Sequence, residues 1–434
     1  MTTIPVDPSI DSTASFLRQG YTFITNRCRR LGTDAFETRL GLEPAICMQG
    51  EEAARAFYAG PLTRRGGMPI PVLLLLQDLG SVQSLELAPH RHRKELFMAL
   101  LGPDRAPELA AVVDEEWRRS VPRWAAAREI VLLTEVERLL CRAVCRWLGI
   151  DVSDGEVTAR TAELSAMIDG AGTISPRNWR AQLLRRRTER WAADLIRNAR
   201  DAATAVSGSD PLAAVALHRD LNGALLEPEV AAVELINILR PTVAVARYVV
   251  FAALSLHADP RLGDALARGG DEDLEAFVQE VRRFYPFFPF VAGRVAGEFS
   301  WRGQRVPKGR RVLLDLYGTN HDARIWDCPD RFEPERFRGW RGNPFTLIPQ
   351  GGGDHLSGHR CPGEWVTIDA LKASVRGLLR MRYQVPDQSL RISLSRMPAQ
   401  PESGLVLRDV AAPADGDESA TTTPSSQSKE MSSH

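Results

Sequence analysis

Apolar residues recur at three-to-four spacing over 51–58, 108–127, 131–148, 157–168, 179–206 and 228–256, which predicts helices for most of the chain from residue 9 to about 280. Beta signals then cluster in 291–298, 299–306 and 311–316, punctuated by Pro307 and Gly309, and predict small sheets. A long Pro/Gly-rich stretch, 320–358, has no regular period and leads into a helix after Cys361. No internal repeat is visible. From 412 onward the chain turns to Pro, Asp, Ser and Thr with nothing large to bury, so 412–434 is expected to be a disordered tail. The remaining 1–411 read as one folded unit, mainly α with small β-sheets.

The 228–256 run is apolar on nearly every side of a helical wheel, as expected for a helix crossing a protein interior, yet it contains Arg240 followed by Pro241. A permanent guanidinium there needs an anion, and no Asp or Glu lies within four residues on either side. Two readings follow. Arg240 pairs with a distant acid of the same chain, or it holds a carboxylate brought by a ligand in a bidentate fork. Pro241 removes one helical hydrogen bond and bends the rod, opening a gap beside the cation.

Composition narrows the class. The chain has 434 residues, and its 55 basic and 55 acidic side chains give no net charge, which argues against broad capture of nucleic acid or anionic membrane. Local basic runs such as Arg185-Arg186-Arg187 read as a solvated helix face. Six scattered cysteines without scaffold spacing, and an N-terminus without a basic segment preceding an apolar core, are expected of a reducing, cytoplasmic protein. The apolar stretch 242–256 is short, is broken by Arg247, and reads as a core helix rather than a membrane span.

A second constellation lies at Gln350-Gly351-Gly352-Gly353-Asp354-His355, continuing to Gly358-His359-Arg360-Cys361-Pro362-Gly363-Glu364. It places one cysteine between a Gly-rich loop and a helix start, a setting that favours a thiolate. Backbone N–H groups of glycines such as Gly352 and Gly363 are then candidates to hydrogen-bond the sulfur and tune a bound metal. The alternatives are a buried structural cysteine and a phosphate loop, the latter lacking the Gly-Lys-Ser/Thr ending.

Together with Glu280-Val281-Arg282-Arg283 and Phe332-Glu333-Pro334-Glu335-Arg336-Phe337, this loop resembles the motif set of the cytochrome P450 superfamily. The resemblance is closer to its hydrogen-peroxide-using fatty-acid hydroxylases, through Arg240-Pro241-Thr242-Val243-Ala244, Arg282-Arg283-Phe284-Tyr285-Pro286-Phe287, Leu316-Tyr317-Gly318-Thr319-Asn320-His321-Asp322 and Gly351-Gly352-Gly353-Asp354-His355. It implies a helix-rich triangular domain holding haem b between distal and proximal helices, with Cys361 as the metal ligand. An anionic sulfur on iron favours heterolytic cleavage of a bound O–O bond. Glu280 and Arg283 are implied to form the buried pair supporting the cysteine side. His90 and Lys94, one helical turn apart, resemble the partners of the haem propionates, with His92 and Arg64 as further candidates; a solvated basic cluster is the competing account.

Oxygen-activating relatives carry an acid and Thr where this chain has Arg240-Pro241. The resemblance therefore implies that the proton carrier is the carboxylate of a long-chain fatty acid docked on Arg240, which takes a proton from hydrogen peroxide and returns it to the departing oxygen. Such docking puts the carbons next to the carboxylate nearest the iron, so hydroxylation is expected at the alpha or beta position. Gln83 falls where decarboxylating relatives have His; glutamine cannot donate a proton as imidazolium does, which favours hydroxylation over terminal-alkene formation. Ile168, Ala171, Phe287, Phe288 and Phe290 are the remaining candidates for the acyl pocket, although an aromatic cluster is equally a plain core. Two departures bear on pocket shape: Leu76-Gln77-Asp78-Leu79 lacks an aromatic, and Asp169-Gly170-Ala171-Gly172 is unusually small. The rivals are a fatty-acid decarboxylase, a reductase-dependent monooxygenase of the same fold, and a non-catalytic haem sensor. The preferred reading needs no redox partner, no nucleic acid and no integral membrane association.

Overall fold

A computed structural model describes residues 4–78, 80–172, 175–202 and 210–412; the proposed tail, apart from its first residue, lies outside them. The predicted helices are present as Glu51–Ala59, Ala106–Ala125, Leu132–Trp147, Asp154–Ala171 and Pro176–Asp201, followed by a bent pair, Pro228–Ala244 and Ala246–Ala258. Pro241 lies within the first of that pair and the break follows at Val245. By length and composition this pair is apolar enough to cross a membrane, but 94% of its most apolar window is buried inside the protein. It is a core element. The Cys361 helix, Glu364–Leu379, packs along Ala106–Ala125, and Gly377 permits this because a Cβ there would sit 2.5 Å from the Trp117 ring.

The N-terminal part is less helical than its pattern predicts. Ala35–Leu40 and Glu43–Met48 form a hairpin, in register Leu40↔Glu43, that joins Arg311–Asp315, Phe290–Val295 and Leu62–Thr63 in a five-stranded sheet. The turn is made by Gly41 and Leu42, both at positive φ, which is the backbone a two-residue hairpin requires. Sequence distance hides the sheet: Glu43–Met48 pairs in parallel with Arg311–Asp315, so its partner is supplied by the far end of the chain. The segment 299–306 adds a hairpin, and Arg382–Gln384 and Val406–Ala411 join Glu129–Val131 in a three-stranded sheet.

Glu280 and Arg283 sit in Asp271–Phe284 and are wholly buried. The Arg283 guanidinium forks onto Glu280 at 2.6 and 2.7 Å and also donates to the carbonyls of Asn320, Pro329 and Arg331. Glu280 in turn accepts the backbone N–H of Glu333 at 2.7 Å and pairs with Arg336 at 3.3 Å. The pair therefore staples the irregular 320–337 segment to the helix. Its donors and acceptors are used there, in holding that segment against the helix.

The small residues after Ile168 also have a packing reason. A Cβ on Gly170 would lie 2.7 Å from that of Ala181 and 3.3 Å from Leu75, and one on Gly172 would lie 2.0 Å from the Met397 carbonyl oxygen. Close approach of backbones, rather than a wider pocket, explains Gly170 and Gly172. Gly172→Ala is expected to destabilise the fold by the roughly 1–3 kcal/mol typical of overpacking, seen as a lower thermal midpoint in calorimetry. Glu280→Ala strands a buried guanidinium, at a cost of about 3–5 kcal/mol, and is expected to cut the yield of folded protein severely, read from soluble expression and melting temperature.

Candidate functional site

Arg240 is buried, and its guanidinium is held entirely by neutral acceptors. One terminal nitrogen donates to the Leu75 carbonyl at 3.3 Å; the other donates to the Leu76 carbonyl and to Asn237 Oδ1, the latter at 3.2 Å. No carboxylate among the described residues pairs with it. The reading in which a distant acid neutralises Arg240 is thus not the one the structure adopts. Burial, with Arg185 nearby as a like charge, pulls its pKa down to about 9.

Why the carbonyls of Leu75 and Leu76 are available follows from local structure. They end the short helix Ile70–Leu76, whose last carbonyls have no partner within the helix. Arg185 reaches the same end, donating to Leu75 O at 2.8 Å, but it carries its own anions, Glu189 at 2.6 Å and Asp78 at 3.3 Å. Pro241 contributes differently. With no N–H, it leaves the Asn237 carbonyl one turn below without its helical donor.

Asn237 and Glu234 were not singled out in the sequence, and both belong to this site. The Asn237 amide donates to Glu234 Oε2 at 3.1 Å and to Gln83 Oε1 at 3.2 Å while its oxygen accepts from Arg240. Glu234, wholly buried, also accepts from Arg93 at 2.6 Å and from the backbone of Val82 at 2.9 Å. Burial raises its pKa against the pull of Arg93 and Asn237. Gln83, on the single turn Val82–Ser84, is therefore one hydrogen bond from the residue that steers Arg240. The detectable signal was the three-residue spacing Glu234, Asn237, Arg240, which puts all three on one helical face.

The second centre is Cys361. Its sulfur accepts from the Gln350 side-chain amide at 3.7 Å, and Gly363 caps the helix that follows. Gln350 is itself oriented by Thr367 at 3.0 Å and by Arg282 at 3.2 Å. The expected donor Gly352 is elsewhere: its N–H goes to the Tyr58 hydroxyl at 2.7 Å. Positive φ at Gly351 and Gly353 turns the loop that way, and a Cβ on Gly352 would strike the Pro344 carbonyl at 2.4 Å. The thiol also departs from expectation, since burial pushes its pKa up against the Gly363 N–H, Lys94 and Arg282. A bound cation at the sulfur would reverse that balance. Beneath the loop, burial alone would raise Glu364, but Arg282, His355 and Arg360 overcome it and hold its carboxyl well below the usual range.

Beside Cys361 lies a basic cluster with little countercharge. The rings of His90 and His359 are 4.0 Å apart, Lys94 donates to the carbonyls of Gly358 and Arg360, and Arg64 lies 4.7 Å above the Phe57 ring. Burial, then His359 and Lys94, pull His90 down to about 3, and burial pulls Lys94 down to about 8. Glu86, with a pKa of about 2, faces His359 at 3.7 Å. A buried thiol flanked by Lys94, Arg64 and the rings of His90 and His359, with Glu86 set against His359, is a donor set that would fit a haem, its iron on the sulfur and its propionates on the basic side chains. His92 is not part of this cluster. Two residues from His90, it points to the opposite side of the helix, donates from Nε2 to the Arg219 carbonyl at 2.8 Å and has its ring 5.1 Å from that of His218.

The pocket candidates divide. Ile168 and Ala171 are buried on Asp154–Ala171, the helix that packs on Ile70–Leu76. Phe287 stacks on Tyr248 at 4.2 Å and holds Phe288 edge-on at 5.0 Å, leaving Phe288 exposed. Phe290 instead packs edge-on against Phe16 at 5.4 Å, in a separate N-terminal aromatic core.

Comparison with known proteins fits both centres. Residues 273–387 match the cytochrome P450 family profile. The chain is 25% identical to "Putative cytochrome P450 138" of Mycobacterium bovis over 84% of its own length and 87% of that protein. Among solved structures it is similar to cytochrome P450SP alpha (CYP152B1) in complex with (R)-ibuprophen, with 47% identity, 93% of this chain and 100% of that chain covered, and a TM-score of 0.89. Cytochrome P450EX alpha (CYP152N1) with myristic acid gives 40% identity, 95% and 100% coverage, and a TM-score of 0.90. Cytochrome P450 OleT in complex with arachidonic acid gives 31% identity, 96% and 100% coverage, and a TM-score of 0.91. With likeness over nearly its full length, the chain belongs to the cytochrome P450 superfamily and to the peroxygenase family within it, as a haem-binding oxidoreductase with a cysteine thiolate on iron.

Proposed function

We propose that this protein hydroxylates long-chain fatty acids at the alpha or beta carbon with hydrogen peroxide, using the substrate carboxylate held on Arg240 as acid and base. One observation carries the reading: a buried guanidinium satisfied in hydrogen bonds but not in charge. Neutral carbonyls fill its donors, whereas a carboxylate also supplies the missing countercharge in a low-dielectric site. The myristic and arachidonic acids bound by the two similar structures are ligands of that chemistry.

Haem would be held by Cys361, with His90, Lys94 and Arg64 placed to receive its propionates, and would supply the oxidising chemistry. The chain's residues supply position and protons. Arg240 fixes the head group, so the first carbons of the acyl chain are the ones presented to the reacting centre. The fixed carboxylate accepts a proton from peroxide and returns it to the leaving oxygen, the work an acid and Thr do in relatives that have them. Asn237, polarised by Glu234 and tethered to Gln83, keeps the guanidinium from rotating away. Buried apolar residues such as Ile168 and Ala171 help exclude water around the acid. Arg240-Pro241 stands where oxygen-activating relatives carry an acid and Thr, which favours peroxide over a reductase-fed cycle. Gln83 cannot act as a cationic proton donor, which favours hydroxylation over decarboxylation.

Haem-loaded protein given myristic acid and hydrogen peroxide, without reductase or nicotinamide, is expected to form 2- or 3-hydroxymyristate, identified by mass spectrometry. Absence of product, with turnover appearing only when a reductase is added, would assign the chain to the monooxygenase class. Arg240→Ala is expected to reduce kcat/KM roughly 100-fold or more while haem absorbance stays normal, because it removes the buried partner of the carboxylate. Gln83→His restores an imidazole beside Asn237 and is expected to raise the fraction of terminal alkene, measured by gas chromatography.

A further inference from the structure

The helix Pro176–Asp201 has a surface unlike the rest of this electroneutral chain. Between residues 176 and 188 it carries Arg177, Arg180, Arg185, Arg186 and Arg187 and no acidic residue. Arg185 is turned inward and paired. Arg177, Arg180, Arg186 and Arg187 are exposed, and none forms an ion pair with another described residue.

Within the same stretch Trp179 is 70% exposed and Leu183 is 63% exposed. At about 100° per residue, Arg186, Trp179, Arg190, Leu183, Arg187 and Arg180 fall, in that order, within an arc of about 120°. The buried residues Asn178, Ala181, Arg185, Thr188 and Ala192 occupy the opposite arc. The exposed face thus has an aromatic and an aliphatic side chain between flanking guanidinia, where a merely solvated face would mix charges of both signs. Alongside it, Gln182 donates to the Pro71 carbonyl at 3.1 Å, which brings the 70%-exposed Ile70 to the edge of the patch.

We infer that this face docks on the surface of an anionic phospholipid bilayer. Trp179, Leu183 and Ile70 need an apolar layer a few ångströms deep, while arginines on the same face reach back to headgroup phosphates. A nucleic acid would satisfy the arginines but not the aliphatic side chains. Placement adds a reason. Ile70 opens the helix whose other end, about 9 Å along its axis, gives Leu75 and Leu76 to Arg240. Docking there sets the acid-binding centre next to a reservoir of acyl chains. The attachment is interfacial, since the apolar helix pair 228–258 remains buried in the core.

The test uses haem-loaded, full-length protein with no fatty acid or peroxide, so it does not depend on the reaction proposed above. Flotation with vesicles of phosphatidylglycerol and phosphatidylcholine is expected to recover the protein with the anionic vesicles, and little with phosphatidylcholine alone. Binding is expected to weaken roughly fivefold per arginine removed, and therefore strongly in Arg180→Glu/Arg187→Glu. Brominated lipid is expected to quench part of the tryptophan fluorescence, and that part is lost in Trp179→Phe. Far-UV circular dichroism and the Soret band establish that each variant is folded. No recovery with anionic vesicles, equal recovery with neutral ones, or undiminished binding by the Arg180→Glu/Arg187→Glu variant would each overturn the inference.

Discussion

A guanidinium buried without a counterion is the constraint around which the distal half is arranged. Desolvating the charge is costly, and the chain offsets that cost with dipoles in place of an acid. The C-terminal end of Ile70–Leu76 carries the partial negative charge of unpaired carbonyls, and both Arg240 and Arg185 converge on it. Arg185 also has Glu189 and Asp78; Arg240 has neither. The difference matters chemically. An internal acid would lower the energy of the resting protein and close the site to any acidic ligand, whereas carbonyls and one amide hold the cation in place and leave its charge to be met from outside.

The network around Asn237 shows how that orientation is kept. Glu234 is an acid buried at the core of the same helix, six residues before Arg240, and it would seem the natural counterion. Its oxygens are instead taken by Arg93, Val82 and Asn237, so it acts on Arg240 only through the Asn237 amide. The segment bearing Gln83 is pinned by the same carboxylate through the Val82 N–H. A single buried acid thereby fixes both the helix face and the loop facing it, and the guanidinium inherits its direction from them.

The chemistry-bearing residues were the legible part of this sequence, and their shells were not. Arg240-Pro241 and Cys361 stand out because a fixed charge in an apolar run and a thiol at a loop-to-helix junction violate local expectation. Glu234 and Asn237 look like ordinary polar helix positions until residues 82–83, far upstream, are brought against them. The 35–48 hairpin was missed for a related reason: its sheet partner arrives after residue 310, and only the Gly41 turn marks it locally. His92 lies outside the basic cluster although it is two residues from His90, because two residues along a helix point to opposite sides. In the Gly-rich loop, Gly352 and Gly353 serve close approach to Tyr58 and Pro344, a packing role that the spacing of glycines does not distinguish from bonds to sulfur.

Charge compensation is uneven across the molecule, and the unevenness follows function. On the proximal side Glu364 meets Arg282, Arg360 and His355, and Glu280 meets Arg283 and Arg336, so each buried acid is matched by more than one cation and the loop is held rigid. At the distal helix and beside Cys361 the cations Arg240 and Lys94 lack that matching, being held by carbonyls. Rigid scaffolding benefits from complete pairing because any unmet group there is pure cost. A binding site needs the reverse: the charge left unmet in the protein alone is the part of the interaction reserved for what binds. On the proposed function, these two buried places of incomplete compensation, one set to meet an acid and one to meet a dianionic cofactor, are where this fold would perform its chemistry.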